Sequence, residues 1–204
     1  MDGILTRARP HDLVRLSDVT ALRADVRAPE WVWRSLRDAP WAVVRRARAR
    51  ARCLPVGVRG RRRDERHALD IPADAVAERV GPEDLRRRLV ELPADSLPAR
   101  AAAELAGWLD GVERAGLSWG PTGSVGFQLA TGQAVITPHS DLDLIVRLDG
   151  LPAARRIPPM PDVPGRVDCL VECPEGAVAW AELSGGSPLV MLRTADGRRL
   201  VPRA

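Results

Sequence analysis

Gly120-Pro121-Thr122-Gly123-Ser124-Val125-Gly126 is followed, after a short apolar run, by Ser140-Asp141-Leu142-Asp143-Leu144-Ile145-Val146-Arg147-Leu148. The first stretch is dense in glycine and reads as a turn. The second reads as a strand, because successive side chains of a strand point to opposite faces. Leu142, Leu144, Val146 and Leu148 then line one side, while Asp141 and Asp143 share the other, about 6.6 Å apart at ~3.3 Å per residue. Two carboxylates opposite a buried face can hold a hard cation. Mg²⁺ prefers oxygen ligands and usually takes only a few carboxylates together with substrate phosphates. A later strand candidate, Arg166-Val167-Asp168-Cys169-Leu170-Val171-Glu172, offers Asp168 as a third carboxylate.

Outward from this centre, Ala99 to Ala115 is the clearest helix. Leu105, Trp108, Leu109 and Val112 recur at the spacing of one buried helix face, and Gly116 stops the run. Pro82-Glu83-Asp84 opens a shorter helix over Leu85 to Glu91. Between the carboxylate strands, residues 149–165 hold Pro152, Pro158, Pro159, Pro161 and Pro164, which leave room for one helical turn at most. The N-terminal part reads as a small α/β or mainly β region: a helical stretch around Leu16 to Leu36, then strands at Trp41-Ala42-Val43-Val44 and at Leu54 to Gly60. Arg46, Arg48, Arg50 and Arg52 alternate with alanine, which as a strand would gather all four on one face suited to phosphate; a solvated hairpin between the two strands is the preferred reading. The division expected is an N-terminal domain over residues 1–85 and a second over 86–204.

Composition narrows the chemistry. The chain has 204 residues, 45% of them hydrophobic and 28% charged, which is a globular composition. Lysine is absent, so all 31 basic residues are arginine. That excludes a Walker-type phosphate loop and Schiff-base chemistry on lysine. The sequence pI is near 10.0, yet the formal net charge is only +4 because 27 acidic residues are interleaved. Nucleic-acid binding is correspondingly weakly signalled. Cys53, Cys169 and Cys173 read as structural thiols, since the C-x3-C pair has no His or Cys nearby to complete a zinc set. The first residues hold no apolar core of a secretory signal, and the expected compartment is the cytoplasm. Thr122 stands where a nucleophile elbow needs glycine, and glycines 120, 123 and 126 miss the dinucleotide-binding spacing. His139, beside Ser140 and Asp141, reads as a loop residue.

A Gly-Ser turn, a strand bearing D-x-D and a later strand bearing Asp together resemble the DNA polymerase β-type nucleotidyltransferase superfamily. The resemblance implies an α/β (α+β) fold with a mixed sheet, plus a small N-terminal domain covering the donor. It implies that Gly123 and Ser124 contact a triphosphate at a helix N-terminus. Asp141, Asp143 and Asp168 would be catalytic residues and ligands of two Mg²⁺ ions, with Mn²⁺ as the alternative metal. More narrowly, Trp119 to Gly132 with Ser140 to Leu144 is similar to the malonate decarboxylase holo-acyl carrier protein synthase family. Arg9-Pro10-His11-Asp12-Leu13, Pro40 to Arg46 and Pro55 to Gly60 are similar to that family's N-terminal region. The family resemblance implies transfer of the 2′-(5″-triphosphoribosyl)-3′-dephospho-CoA group to a serine of the malonate decarboxylase acyl carrier protein subunit, with diphosphate released. Asp168 would serve as general base or metal ligand.

Arg59, Arg63 and Arg66 are candidate phosphate contacts for so bulky a donor, or an acidic-carrier docking face. Trp119, beside the glycine turn, is a candidate neighbour of the adenine or pantetheine. Two other readings compete: the same site using a plain nucleoside triphosphate, as in regulatory adenylyl- or uridylyltransferases, and an arginine-rich nucleic-acid module with incidental aspartates.

Overall fold

Strands of four to seven residues, separated by turns and short helices, organise the N-terminal part. The computed structural model describes residues 8–48, 50–60, 62, 64–163 and 167–203. It separates into two units, one ending at Gly81 and the other starting at Pro82.

In the first unit, β1 (Leu13–Leu16), β2 (Trp41–Val44), β3 (Cys53–Arg59), β4 (Arg66–Pro72) and β5 (Val76–Val80) form a sheet in the order β4-β3-β2-β1-β5. Its pairings are antiparallel. Two short helices, α1 (Val19–Asp25) and α2 (Glu30–Asp38), replace the single helical stretch expected over 16–36. Leu16 still belongs to β1. The Asp18 carboxylate caps α1 by accepting from the Thr20 and Ala21 amides at 2.8 and 2.9 Å. Pro29, at the N-cap of α2, would break any longer helix. Val32, Trp33 and Leu36 of α2 are buried with Val14, Val56 and Ile71 of the sheet.

Arg46, Arg48, Arg50 and Arg52 are not a strand face. Pairing of β2 with β3 ends at Val44 opposite Val56, and Arg52 turns through a φ of 62°. A run of alanine and arginine has no apolar face to bury, so nothing extends the ladder past that point. Asp12 is 0% exposed, accepting from the Arg9 amide and from Arg79 Nη1, both at 2.8 Å. This accounts for the Asp12 of the Arg-Pro-His-Asp-Leu motif as an internal clamp.

The second unit begins with α3 (Pro82–Leu85), which runs into a 3-10 helix over Arg86–Glu91. α4 (Leu97–Glu104) and α5 (Ala106–Arg114) follow. The expected continuous helix is interrupted once, at Leu105, whose amide bonds both the Ala101 and Ala103 carbonyls. Ser96 caps the start and Gly116, at a φ of +70°, ends it. There the Leu117 amide returns to the Val112 carbonyl, so Gly116 is the left-handed residue of a Schellman stop.

Next come β6 (Ser118–Pro121), α6 (Gly123–Thr131), β7 (Leu142–Arg147), β8 (Val167–Cys173), β9 (Gly176–Ala179), α7 (Trp180–Ser184), β10 (Leu189–Thr194) and β11 (Gly197–Pro202). The sheet order is β11-β10-β9-β8-β7-β6. It is mixed: β7 and β8 are parallel, while the other neighbours run antiparallel. The connection from β7 to β8 holds a six-residue 3-10 helix, Leu151–Arg156, rather than one turn at most. Pro152 sits in its first turn, where no amide donor is needed, and the remaining prolines of the segment follow its end.

Candidate active site

The residues of the glycine turn are placed by backbone bonds. The Thr122 amide donates to the Asp143 carbonyl at 2.8 Å, extending the β6–β7 ladder by one step. α6 then starts at Gly123, and the Thr122 side chain makes no capping hydrogen bond to it. A helix leaves its first amides without internal partners, so the start of α6 can donate to an anion. Ser124 occupies the second position of this turn and is half-buried.

Gly123 has two reasons to be glycine. Its φ is +59°, and a Cβ there would stand 1.8 Å from Asp143 Oδ2. The Asp143 carboxylate therefore packs directly on the bare Cα face of Gly123. In β8, Asp168 is the register partner of Asp143, as Leu144 is of Cys169. Parallel neighbours in register lie on the same face at a strand spacing of about 4.8 Å. Asp143 is half-buried and Asp168 exposed. Asp141 lies just before β7 and is half-buried.

Thus the turn, Asp143 and Asp168 come together, with Asp141 two residues upstream. Among the described residues, no three carboxylate, thiol or imidazole groups already converge as a metal cage. A magnesium ion does not need one, since it is commonly held by one or two carboxylates with water and substrate phosphates completing its octahedron. A register pair of carboxylates beside the amides of a helix start fits such an ion.

The face carrying Asp143 is open only at its start. Ile145 and Arg147 continue it and are buried. α3 approaches there so closely that a Cβ on Gly120, the register partner of Ile145, would meet the Pro82 carbonyl oxygen at 2.0 Å. Arg147 lies in a carboxylate pair that the sequence reading missed. Its Nε is 2.6 Å from Glu83 Oε1 of α3, and its Nη1 is 3.4 Å from Glu172 Oε2. Glu172 is the register partner of Arg147 on β8. The available signal was an arginine inside the apolar run Leu144 to Leu148, and a glutamate inside Val171-Glu172-Cys173.

The other candidates are distributed differently. Arg59 and Arg66 are exposed register partners on β3 and β4 of the first unit. Arg63 lies outside the described residues. Trp119 is not beside the aspartates. It is the register partner of Val146 on the opposite face, is buried, and donates from Nε1 to Glu113 Oε1 at 3.1 Å. His139 sits in an exposed turn after Thr137. Cys169 and Cys173 point into the core, and burial pushes their thiols up to about 12 and about 11. Neither is a thiolate near neutral pH. No described helix is long and apolar enough to cross a membrane.

Gly123→Ala is a direct probe of the arrangement. Strain at positive φ and the collision with Asp143 displace either the carboxylate or the helix start. Misplacement of about 1 Å at a reacting centre can cost roughly a hundredfold in rate. The group transfer that the resemblance implies is expected to fall by at least that factor in this variant; activity within twofold of the parent would show that the packing is dispensable.

The mixed sheet with its flanking helices is consistent with a nucleotidyltransferase-like α+β fold. Comparison with known families narrows this. The model of the phosphoribosyl-dephospho-CoA transferase MdcG N-terminal domain matches residues 9–82, and that of the MdcG C-terminal domain matches residues 87–204. A phosphoribosyl-dephospho-CoA transferase of Azotobacter vinelandii is 41% identical over 95% of this chain and 92% of its own length. Relatives of the same name from Pseudomonas putida and Pseudomonas aeruginosa are 36% and 37% identical, over 95% and 94% of this chain and 93% and 91% of theirs. No solved structure matches. The chain belongs to the phosphoribosyl-dephospho-CoA transferase family.

Proposed function

We propose that this transferase moves the 2′-(5″-triphosphoribosyl)-3′-dephospho-CoA group onto a serine of the malonate decarboxylase acyl carrier protein subunit and releases diphosphate. The observation that carries the reading is the register pair Asp143–Asp168 beside the uncapped start of α6. Such a site suits displacement at phosphorus, where positioning and charge neutralisation dominate.

In this reading the Gly123 and Ser124 amides donate to the triphosphate, favoured by the positive end of the helix dipole. The serine oxygen forms a bond to the α-phosphorus as the bond to the bridging oxygen of the leaving diphosphate breaks. Asp168, exposed at the start of β8, accepts the serine proton or shares in metal binding. Asp141, Asp143 and Asp168 would hold Mg²⁺, or Mn²⁺, which when bound neutralises charge on the attacking and leaving oxygens. Arg59, Arg63 and Arg66 are proposed as phosphate contacts of the donor, because the guanidinium fork suits phosphate oxygens.

The test is intact mass of the apo carrier subunit after incubation with enzyme, the triphosphoribosyl donor and Mg²⁺, beside a reaction supplied only with ATP. A mass gain equal to the prosthetic group, absent with ATP, is expected. Nucleotidylation from ATP without transfer from the CoA derivative would overturn the proposed donor.

A further inference from the structure

α6 carries Gly123 and Ser124 at its start, and near its end it holds the chain that leads to Asp141. Gly132, at a φ of +73°, closes the helix by donating its amide to the Gln128 carbonyl at 2.8 Å. From Gly132 to Asp141, all of it among the described residues, there is no helix or strand. The amides of this connection need partners other than a regular ladder. Thr131 Oγ1 accepts from the Gln133 amide at 3.1 Å. Gln128 Oε1 accepts from the amides of Val135 and Ile136, both at 3.0 Å. A carboxamide oxygen has two lone pairs, and these two bonds use both. Gln128 thus receives two amides on its side chain and one on its backbone carbonyl.

Beyond Ile136 the chain forms a closed turn. The Ser140 amide donates to the Thr137 carbonyl at 3.0 Å, and the Thr137 amide donates to Ser140 Oγ at 2.9 Å. The His139 amide returns to Thr137 Oγ1 at 3.3 Å. Pro138, second residue of the turn, has its φ fixed by its ring. Residues 137–140 therefore behave as one piece, and Asp141 follows it directly. Asp143 and Asp168 are placed by the β7–β8 ladder, whereas Asp141 lies outside the β6–β7 and β7–β8 pairings among the described residues. What places Asp141 is the connection, and Gln128 ties that connection to α6.

We infer that Gln128 is a positioning residue for Asp141. Its carboxamide fixes the α6–β7 connection, so that the Asp141 carboxylate is presented at the cation site in step with the helix start that takes the phosphates. The inference rests on the reading that Asp141 shares in holding the divalent cation. Gln128 stands five residues after Gly123, about 7.5 Å along the axis at 1.5 Å per residue. One short helix therefore sets both the phosphate-binding amides and, through Gln128, the approach of Asp141. Groups that orient a metal ligand from outside the coordination shell typically change affinity or activity by about 10- to 100-fold when removed.

The experiment compares the full-length chain with Gln128→Met, Gln128→Asn and Gln128→Glu. Methionine keeps the length without the acceptor, asparagine is one carbon short, and glutamate keeps an oxygen for both amides. Mn²⁺ binding is read by electron paramagnetic resonance with the triphosphoribosyl donor present and no carrier. Hydrogen exchange at Val135 and Ile136, and kcat and KM for carrier modification, are measured alongside. The Met and Asn variants are expected to lose about thirtyfold in Mn²⁺ affinity and in kcat, to exchange both amides faster, and to keep the parent's carrier KM. The Glu variant is expected to restore all of these to near the parent's values. Met and Asn variants that keep the parent's Mn²⁺ affinity and kcat overturn the inference, and a lowered melting temperature without that loss makes Gln128 a purely structural residue. A Glu variant as impaired as the Met one overturns it too. The control is Asp141→Asn: if the parent binds no Mn²⁺, or this variant binds it equally well, the reading of Asp141 as a ligand fails first and the inference falls with it.

Discussion

Replacing Asp143 by asparagine is expected to lower transfer by roughly a thousandfold, about 4 kcal/mol of transition-state stabilisation at 1.36 kcal/mol per tenfold, while the protein stays folded. The amide has the shape of the carboxylate, so packing against the bare Cα of Gly123 is kept. What disappears is a negative charge at the point where the start of α6 and the two parallel strands meet. The proposed chemistry needs that charge, and measuring activity and folding side by side separates a site residue from a core residue. The check is a pair of measurements on Asp143→Asn: carrier modification by intact mass over time, and thermal unfolding. Transfer within tenfold of the parent would remove Asp143 from the site. A collapse in melting temperature would make it a structural residue instead.

The second large effect concerns stability. Arg147→Leu leaves Glu83 and Glu172 without the cation between them, and the side chains of Arg147 and Glu172 are both 7% exposed. Removing one member of a buried ion pair typically costs about 3–5 kcal/mol, because the remaining charge has lost its solvent and its partner. A melting-temperature drop on the order of 10 °C is expected for this unit. The triple change Glu83→Leu/Arg147→Leu/Glu172→Leu should recover much of the loss, since apolar groups of similar volume often replace a buried ionic cluster without penalty. Chemical denaturation of the single and triple variants reads both. A single variant losing less than about 1 kcal/mol would mean that water reaches the cluster.

The contrast between these two acidic sites shows what the chain revealed before its structure was known. Asp143 stood out because a carboxylate beside a glycine turn on an otherwise apolar strand has few reasons to be there. Its pairing with Asp168 could not be read with the same force, because register across a parallel crossover depends on chain far from either residue. The Leu142-Leu144-Val146 face followed from alternation, and burial confirms it. Burial of Ile145 and Arg147 on the other face did not follow, because α3 covers them and lies far away in sequence. Trp119 was misjudged by adjacency: proximity to the turn along the chain says nothing about the face to which a strand residue points. The helix break at Leu105 and the two short helices in place of one came from the same difficulty. Local periodicity records which residues are buried and leaves open where the backbone pauses. The arginine–alanine run is the connection of the antiparallel β2–β3 hairpin, the preferred of its two readings, because period two without an apolar partner specifies no sheet.

The parallel pairing of β7 with β8 has a consequence for the order in which this unit can assemble. β8–β9 and β10–β11 are hairpins closed by short turns, so little chain entropy opposes them. Asp143 meets Asp168 only after the whole crossover containing Leu151–Arg156 has closed. Contacts separated by a long loop carry its closure entropy and form slowly. A chain with both hairpins formed and the crossover still open would have most of its strands and no paired carboxylates. Transfer activity therefore reports completion of folding, where spectroscopic strand content would report only its beginning.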